Sequence, residues 1–285
     1  MPKPSLLIIG GSGYVGQALI KKASEKFSDI SWTYFLNRVN GNVGRSLRLD
    51  IRDSEDVREL IQNVKPSIIY HIAYDRNHLN ETIVIGTQNI IRACGEVKKT
   101  LFFRVFDGDI GWYREEDLPN PIFDYGLAKY EAEKSVLKYG GKVVRTSLIY
   151  GFNPLDPRTK VFIQGLKTRQ FPYPYFMDEF RCPIFVDDLC EALLEMAFLE
   201  VPPILHIAGP ERISRYNIVV KFTKALGLDE RFIPKGSLDE SGLVRPKDVS
   251  LLTSLAKNIL KTKLRSLSEV LEENSSFKNQ FIEEI

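Results

Sequence analysis

The ten residues YGLAKYEAEK, Tyr125 to Lys134, hold Tyr-x-x-x-Lys twice: Tyr125 with Lys129, and Tyr130 with Lys134. On a helix, residues four apart share a face, so either pair could set a phenol beside an ammonium. A phenol has an ordinary pKa of about 10, and a neighbouring cation lowers it by favouring the phenolate. Such a pair is a proton-donating device. Five residues turn a helix by about 140°, so the two pairs face different ways and one site can use only one of them. The alternative is an ordinary solvated face of a charged helix.

A second constellation lies at the other end of the chain. SLLIIGGSGYVGQAL places Gly10-x-x-Gly13-x-x-Gly16 directly after an apolar strand and at the opening of a helix. The first glycine permits a tight turn, the second lets backbone approach a pyrophosphate, and the third allows close helix–strand packing. The helix N-terminus adds amide donors and positive potential. This is a dinucleotide cradle, with a glycine turn serving packing alone as the bland alternative. An acid ending the second strand would bind a ribose 2′-hydroxyl. Here that strand ends FLNRVN, with Asn37 and Arg38 and no carboxylate. Arg38 suits a 2′-phosphate, which favours NADP and leaves NAD open. Asp50 and Ile51, in LDIRD, stand where an adenine could be held.

These residues need a scaffold, and the first half of the chain supplies one. Apolar strands SLLII, SWTYFL, SLRL, SIIYHIA, TLFFRVF and KVVRTSLIY alternate with helices: Val15 to Lys26, DSEDVRELIQNV capped by Asp53 or Ser54, TIVIGTQNIIRAC, and the stretch that holds both Tyr–Lys pairs. Alternation of this kind predicts an α/β fold with a doubly wound, Rossmann-type parallel sheet. Ligands then bind beyond the carboxyl ends of the strands. We expect residues 1–152 to form the NADP-binding domain and 153–285 a smaller, mainly substrate-binding α/β region, with about 181–209 returning to the main sheet. Beyond Gly151 the reading gives a short helix from Val161 to Thr168, a helix VDDLCEALLEMAFLE capped by Asp187 or Asp188, a strand ILHIAG, a helix SRYNIVVKFTKALG, and two short helices before a polar tail.

Composition excludes several classes. The 285 residues are 44% hydrophobic and 27% charged, with a formal net charge of +2. No basic excess asks for nucleic acid, and no apolar run approaches a membrane span. Cys94, Cys182 and Cys190 follow no pairing pattern, which fits free thiols in a reducing compartment, and we expect a cytoplasmic protein. His71, His78 and His206 lie far apart without ligand spacing, so no metal is implied. Arg181 in EFRCP could meet a diphosphate or sugar, or anchor its loop; Arg245 in VRPKD is similar and weaker. The aromatic QFPYPYF could wall a pocket or pack beneath a loop.

The glycine turn, LDIRD, YHIAY and Tyr125-x-x-x-Lys129 together resemble the extended short-chain dehydrogenase/reductases. VFDGDIGWYREEDLPNPIFDYGLAKYEAEK, VVRTSLIYG, RCPIFVDDLCEAL, LHIAGPERISRYNIV and RPKDVSL resemble, in order, the dTDP-4-dehydrorhamnose reductase group. The methionine adenosyltransferase regulatory β subunit belongs to the same group. The resemblance selects Tyr125 and Lys129, after LPNPIFD, as the working pair. It implies NADPH reduction of a 4-keto sugar nucleotide, with Tyr125 as proton donor and Lys129 tuning it and holding ribose hydroxyls. Gly10, Ser12, Gly13, Tyr14, Val15, Gly16, Asn37, Arg38, Asp50, Ile51, Ala73 and Tyr74 would contact the cofactor, and a homodimer is expected.

The chain departs from the group at the hydroxyl that ends the fifth strand and bonds the substrate carbonyl. The corresponding residue is Phe102 if VFDG is aligned, or Phe106 if the strand is aligned from Cys94. Ile83 replaces an asparagine before GT, and Leu148 an aromatic after RTS. Asp107 or a water could substitute for the hydroxyl. Two alternatives therefore stand beside the reductase: an NADP-binding regulatory protein acting on a partner enzyme, and a sugar-nucleotide epimerase that retains NAD(P).

Overall fold

The structure, a computed structural model, describes residues 4–39, 43–95 and 110–274, and the backbone of 98–103. Strands β1 (Ser5–Ile9), β2 (Asp29–Tyr34), β3 (Arg45–Arg48), β4 (Ile68–His71), β5 (Lys98–Phe103) and β6 (Lys142–Arg145) alternate with helices α1 (Tyr14–Ala23), α2 (Ser54–Val64), α3 (Gly86–Cys94) and α4 (Asp124–Lys138). A π-helical stretch, Asn80–Ile85, runs directly into α3. Beyond β6 come β7 (Ile149–Tyr150), α5 (Pro157–Thr168), β8 (Tyr175–Phe176), β9 (Phe180–Arg181), β10 (Ile184–Phe185), α6 (Val186–Met196) and β11 (Ile204–His206). The last elements are β12 (Ile213–Ser214), α7 (Arg215–Ala225), β13 (Lys235–Gly236), α8 (Ser254–Ile259) and α9 (Leu267–Glu273).

The main sheet has the order β11-β6-β5-β4-β1-β2-β3, and each of its pairings is parallel. The fold is the doubly wound α/β type, with the strand order reversing beside β1. Both faces of the sheet are covered. Leu6 and Ile8 of β1 pack with Leu19, Ile20 and Ala23 of α1 and Leu189 and Leu193 of α6. Leu7 and Ile9 point the other way, onto Val57 and Ile61 of α2 and Ile90 of α3. That alternation is why SLLII, buried on both sides, reads as a continuous apolar run. Each such side chain contributes roughly 1.5–3 kcal/mol on burial. A separate aromatic and aliphatic cluster, including Tyr150, Phe152, Phe162 and Phe222, organises the second half.

Three expected elements differ. KVVRTSLIY is two strands: β6 ends at Arg145, and β7 pairs with β10. Thr146 to Leu148 are drawn toward the second half, where Ser147 Oγ accepts from Cys182 N at 3.0 Å and Leu148 O from Ile184 N at 2.8 Å. Helix α5 begins four residues before the expected Val161, because Asp156 caps it through the amides of Arg158 and Thr159 and Pro157 occupies its first position. Neither Asp187 nor Asp188 caps α6. Asp188 is instead forked by Arg265, with Nε 3.1 Å from each carboxylate oxygen. Asp187 lies 3.3 Å from Lys22 of α1. Asp53 caps α2 as expected, accepting from Glu55 N at 2.8 Å. Strand ILHIAG returns to the main sheet as β11, beside β6. The polar tail from 275 onward lies outside the described residues.

Candidate active site

A cleft of about 410 Å³ opens beyond the carboxyl ends of β1, β4 and β6. Its floor is the glycine turn. Gly10 has φ +95°, a conformation L side chains rarely adopt, and a Cβ there would meet Ala73 N at 2.6 Å. A Cβ on Gly16 would stand 2.3 Å from Gly10 O, so α1 can approach the turn only with glycine at that position. Gly13 is the extended N-cap of α1 and lends it no side chain, leaving the first-turn amides for a ligand. Thr33 fixes the turn from β2, its Oγ1 accepting from Gly10 N at 3.1 Å.

The opposite wall carries the Tyr–Lys pair. Tyr125 and Lys129 sit in the first turns of α4 and both line the cleft. Gly126 beneath them packs on Pro121, from the proline-bearing segment that precedes the helix. Lys129 is buried, with Nζ 4.6 Å from the centroid of Tyr74 and 5.7 Å from that of Tyr125. The two rings are 5.6 Å apart and tilted by 53°. Burial pulls the Lys129 ammonium down to about 7. His71, at the end of β4, is pushed to about 3 by burial and then by the Lys129 charge, so it is a neutral imidazole. Its Nε2 lies 3.2 Å from Thr87 Oγ1. The second pair also sets its ammonium over its own ring, with Lys134 Nζ 4.9 Å from the Tyr130 centroid, but neither residue lines the cleft. Tyr130 packs against the α3–α4 core, and Lys134 pairs with Glu131 in solvent.

Twelve expected residues line this one cleft: Gly10, Ser12, Gly13, Tyr14, Val15, Gly16, Asp50, Ile51, Ala73, Tyr74, Tyr125 and Lys129. Asn37 and Arg38 do not. Both are exposed, and Arg38 leans over the Tyr34 ring at 5.9 Å. Arg181 is also elsewhere, buried against Glu179 at 2.5 Å and donating to Phe180 O at 2.6 Å. Burial lowers its guanidinium to about 10, and it anchors a loop. Arg245 is exposed and lines no part of the cleft. QFPYPYF packs under its loop, with Phe171 and Tyr175 ringing Phe162 at 6.2 and 5.8 Å. Asp107 and Phe106 lie outside the described residues, as does the side chain of Phe102.

Several lining residues escaped the sequence reading: Arg52, Phe35, Arg76, Thr146 and Arg158. Arg52 is two residues beyond Asp50 and is legible as the basic neighbour of the expected adenine contact. Arg158 is concealed when α5 is started at Val161; the Asp-Pro opening of DPR marks the true start. Its guanidinium is held below the ordinary value by desolvation and then by the Arg215 charge.

The donor set fits a nicotinamide dinucleotide. The glycine cradle would be filled by any Cβ, the α1 N-terminus offers amides, and the buried hydroxyls of Thr146 and Tyr14 have no protein partner among the described residues. A buried hydroxyl without a partner costs about 1–3 kcal/mol, which a ligand in the cleft would relieve. Among the described residues no group of acids, histidines and cysteines could hold a metal ion, and no helix is long and apolar enough to cross a membrane.

Known proteins are similar to this chain in sequence and fold. Methionine adenosyltransferase 2 subunit beta of Bos taurus is 27% identical over 274 residues, covering 88% of this chain and 81% of the relative. The crystal structure of a hypothetical dTDP-4-dehydrorhamnose reductase from Sulfolobus tokodaii superposes with a TM-score of 0.79 at 27% identity, covering 92% of this chain and 97% of that one. The dTDP-4-dehydrorhamnose reductase of Bacillus anthracis, solved in complex with NADP, has a TM-score of 0.80 at 23% identity over 99% of this chain and 100% of its own, a likeness of fold. The RmlD substrate binding domain family matches residues 4–276, nearly the whole chain, and this protein belongs to that family.

Proposed function

We propose that this protein is an NADP-dependent reductase of a 4-keto sugar nucleotide. The observation that carries the reading is the convergence, in one cleft, of the glycine cradle with Tyr125 and a buried Lys129. The bound dinucleotide would supply a hydride to the carbonyl carbon. The chain's own task is to protonate the oxygen, and Tyr125 is the donor. Lys129 serves it as a cation: in the ammonium state it favours the phenolate and so eases the transfer. Tyr74 stands over Nζ, and the burial it helps to provide keeps the lysine near its titration point at neutral pH. The hydroxyl usual at the end of β5 has no counterpart in the sequence there. Loss of one preorganised donor costs on the order of 10²–10³ in rate, so slow turnover is expected. The cytoplasm is the expected compartment and a homodimer the expected assembly.

A second reading is an NADP-binding regulatory subunit, supported by the similarity to methionine adenosyltransferase 2 subunit beta over 88% of this chain and by that same missing hydroxyl. One experiment separates the two. Purified protein is mixed with NADPH and a panel of dTDP- and UDP-linked 4-keto sugars, and separately with a methionine adenosyltransferase catalytic subunit. Oxidation of NADPH that Tyr125→Phe abolishes supports the reductase. Cofactor binding with no turnover, together with a stable complex, replaces it with the regulatory reading.

A further inference from the structure

The adenosine end of the cleft is built differently from the arginine-after-β2 pattern. Arg38 is turned onto Tyr34 outside the cleft, while Arg52, from the turn after β3, lines it beside Phe35, the first residue beyond β2. Arg52 is forked onto Asp50: Nε lies 2.8 and 3.1 Å from the two carboxylate oxygens, and Nη2 is 2.6 Å from Oδ2. The Arg52 amide also donates to Asp50 Oδ1, at 3.0 Å. Behind them Arg48, at the end of β3, has its guanidinium 5.4 Å from the Phe35 centroid, while that of Arg52 is 5.1 Å away. Arg48 is exposed and has no ion pair with a described carboxylate.

Two consequences follow. An adenosine ribose with a free 2′-hydroxyl needs an acceptor, and among the described residues that line this end the one carboxylate, Asp50, is already engaged. Asp75, further along the wall, is engaged by His78 at 2.8 Å and by the Asn77 amide at 3.0 Å. A ribose with a 2′-phosphate needs donors, and a guanidinium carries five N–H groups. The Asp50 fork engages only Nε and Nη2, so Nη1 and its two protons remain outside it. Both guanidinium groups lie beside the Phe35 ring, which gathers their charge at this end of the cleft.

Resting on the reading of the cleft as a dinucleotide site, we propose that Arg52 reads the 2′-phosphate, with Arg48 adding positive potential from outside the cleft across Phe35, and that the engagement of Asp50 by Arg52 denies the unphosphorylated ribose an acceptor. NADP selection in this chain thus lies at the end of β3 and in the turn after it, and Arg38 has no part in it.

The test is a set of binding titrations that need no turnover. NADPH, NADH and the fragments 2′,5′-ADP and 5′-AMP are titrated against the wild type, Arg52→Ala, Arg48→Ala and Arg38→Ala, with thermal unfolding as a check on fold. We expect the wild type to prefer NADPH and 2′,5′-ADP. Arg52→Ala weakens both by about 10- to 100-fold, the scale of a lost charge-assisted hydrogen-bond set, and tightens NADH by about threefold or more, because Asp50 is then free to accept from the ribose. Arg48→Ala shows the same selectivity loss at smaller size, and Arg38→Ala changes nothing. Loss carried by Arg38→Ala, or equal weakening of NADPH and NADH by Arg52→Ala, overturns the assignment while leaving the dinucleotide site intact. A wild type that binds none of the four ligands removes both.

Discussion

Replacing Lys129 by methionine keeps the aliphatic stem and removes the titrating nitrogen. Burial lowers the ammonium from its ordinary 10.5 to about 7 in the folded protein. That difference of about 3.5 pH units is worth roughly 5 kcal/mol at 1.36 kcal/mol per unit. Between pH 7 and 10.5 the unfolded chain binds a proton that the folded chain does not, so wild-type stability rises with pH across that window. Below about 7 the full cost of a buried ammonium is present. The methionine thioether of the variant has no such dependence, and the other groups cancel in the comparison. Integrating the two titrations, the stability gap between Lys129→Met and wild type should shrink by about 2 kcal/mol from about pH 7 to about pH 9. Urea unfolding of both proteins at about pH 7, 8 and 9 measures it. Parallel stability–pH curves would show that Lys129 titrates in the folded state as it does in water, and the account of a desolvated ammonium beneath Tyr74 would be wrong.

Four further outcomes are expected. Tyr125→Phe lowers NADPH-dependent reduction by about 10²–10⁴-fold, the usual share of a general acid, with NADPH affinity within a few fold by fluorescence titration. Gly16→Ala forces a methyl group toward Gly10 O, 2.3 Å from the ideal Cβ position; it should cost about 1–3 kcal/mol of stability and abolish dinucleotide binding by calorimetry. Glu133→Ala leaves Arg145 charged and enclosed, since the two side chains are 2% and 6% exposed and pair at 2.7 Å; a loss of about 3–5 kcal/mol should appear in urea unfolding. Tyr74→Ala opens Lys129 to water, so the basic limb of the pH profile for NADPH binding should move upward from near 7.

The sheet and its glycine turn were legible because they depend on local rules. A β1 buried on both faces is a continuous apolar run, and a turn that admits no Cβ must be glycine. That Tyr125 and Lys129 would face the cleft was legible through the resemblance, which marks the pair that follows LPNPIFD, while helix phase turns Tyr130 and Lys134 another way. What escaped was set by tertiary partners. Arg181 looks the same in sequence whether it faces a diphosphate or Glu179, and only the fold places Glu179 at 2.5 Å. Asp188 resembles an N-cap until Arg265, 77 residues away, claims it. Arg38 suits a 2′-phosphate by its distance from the end of β2, and its placement over Tyr34, off the cleft lining, is a matter of orientation that the sequence does not carry. Apolar periodicity alone starts α5 too late and hides Arg158, although Asp156 and Pro157 signal the earlier start.

The most direct test of the central claim is a single-turnover measurement with enzyme in excess over a dTDP-linked 4-keto-6-deoxy sugar, following NADPH absorbance in the wild type and Tyr125→Phe. The account predicts stoichiometric oxidation in the wild type, slow on the scale set by the missing β5 hydroxyl, and its loss in the variant despite retained cofactor binding. Oxidation that proceeds equally in both proteins would contradict the role given to Tyr125. A wild type that binds NADPH yet oxidises none with any 4-keto sugar nucleotide would contradict the reductase itself.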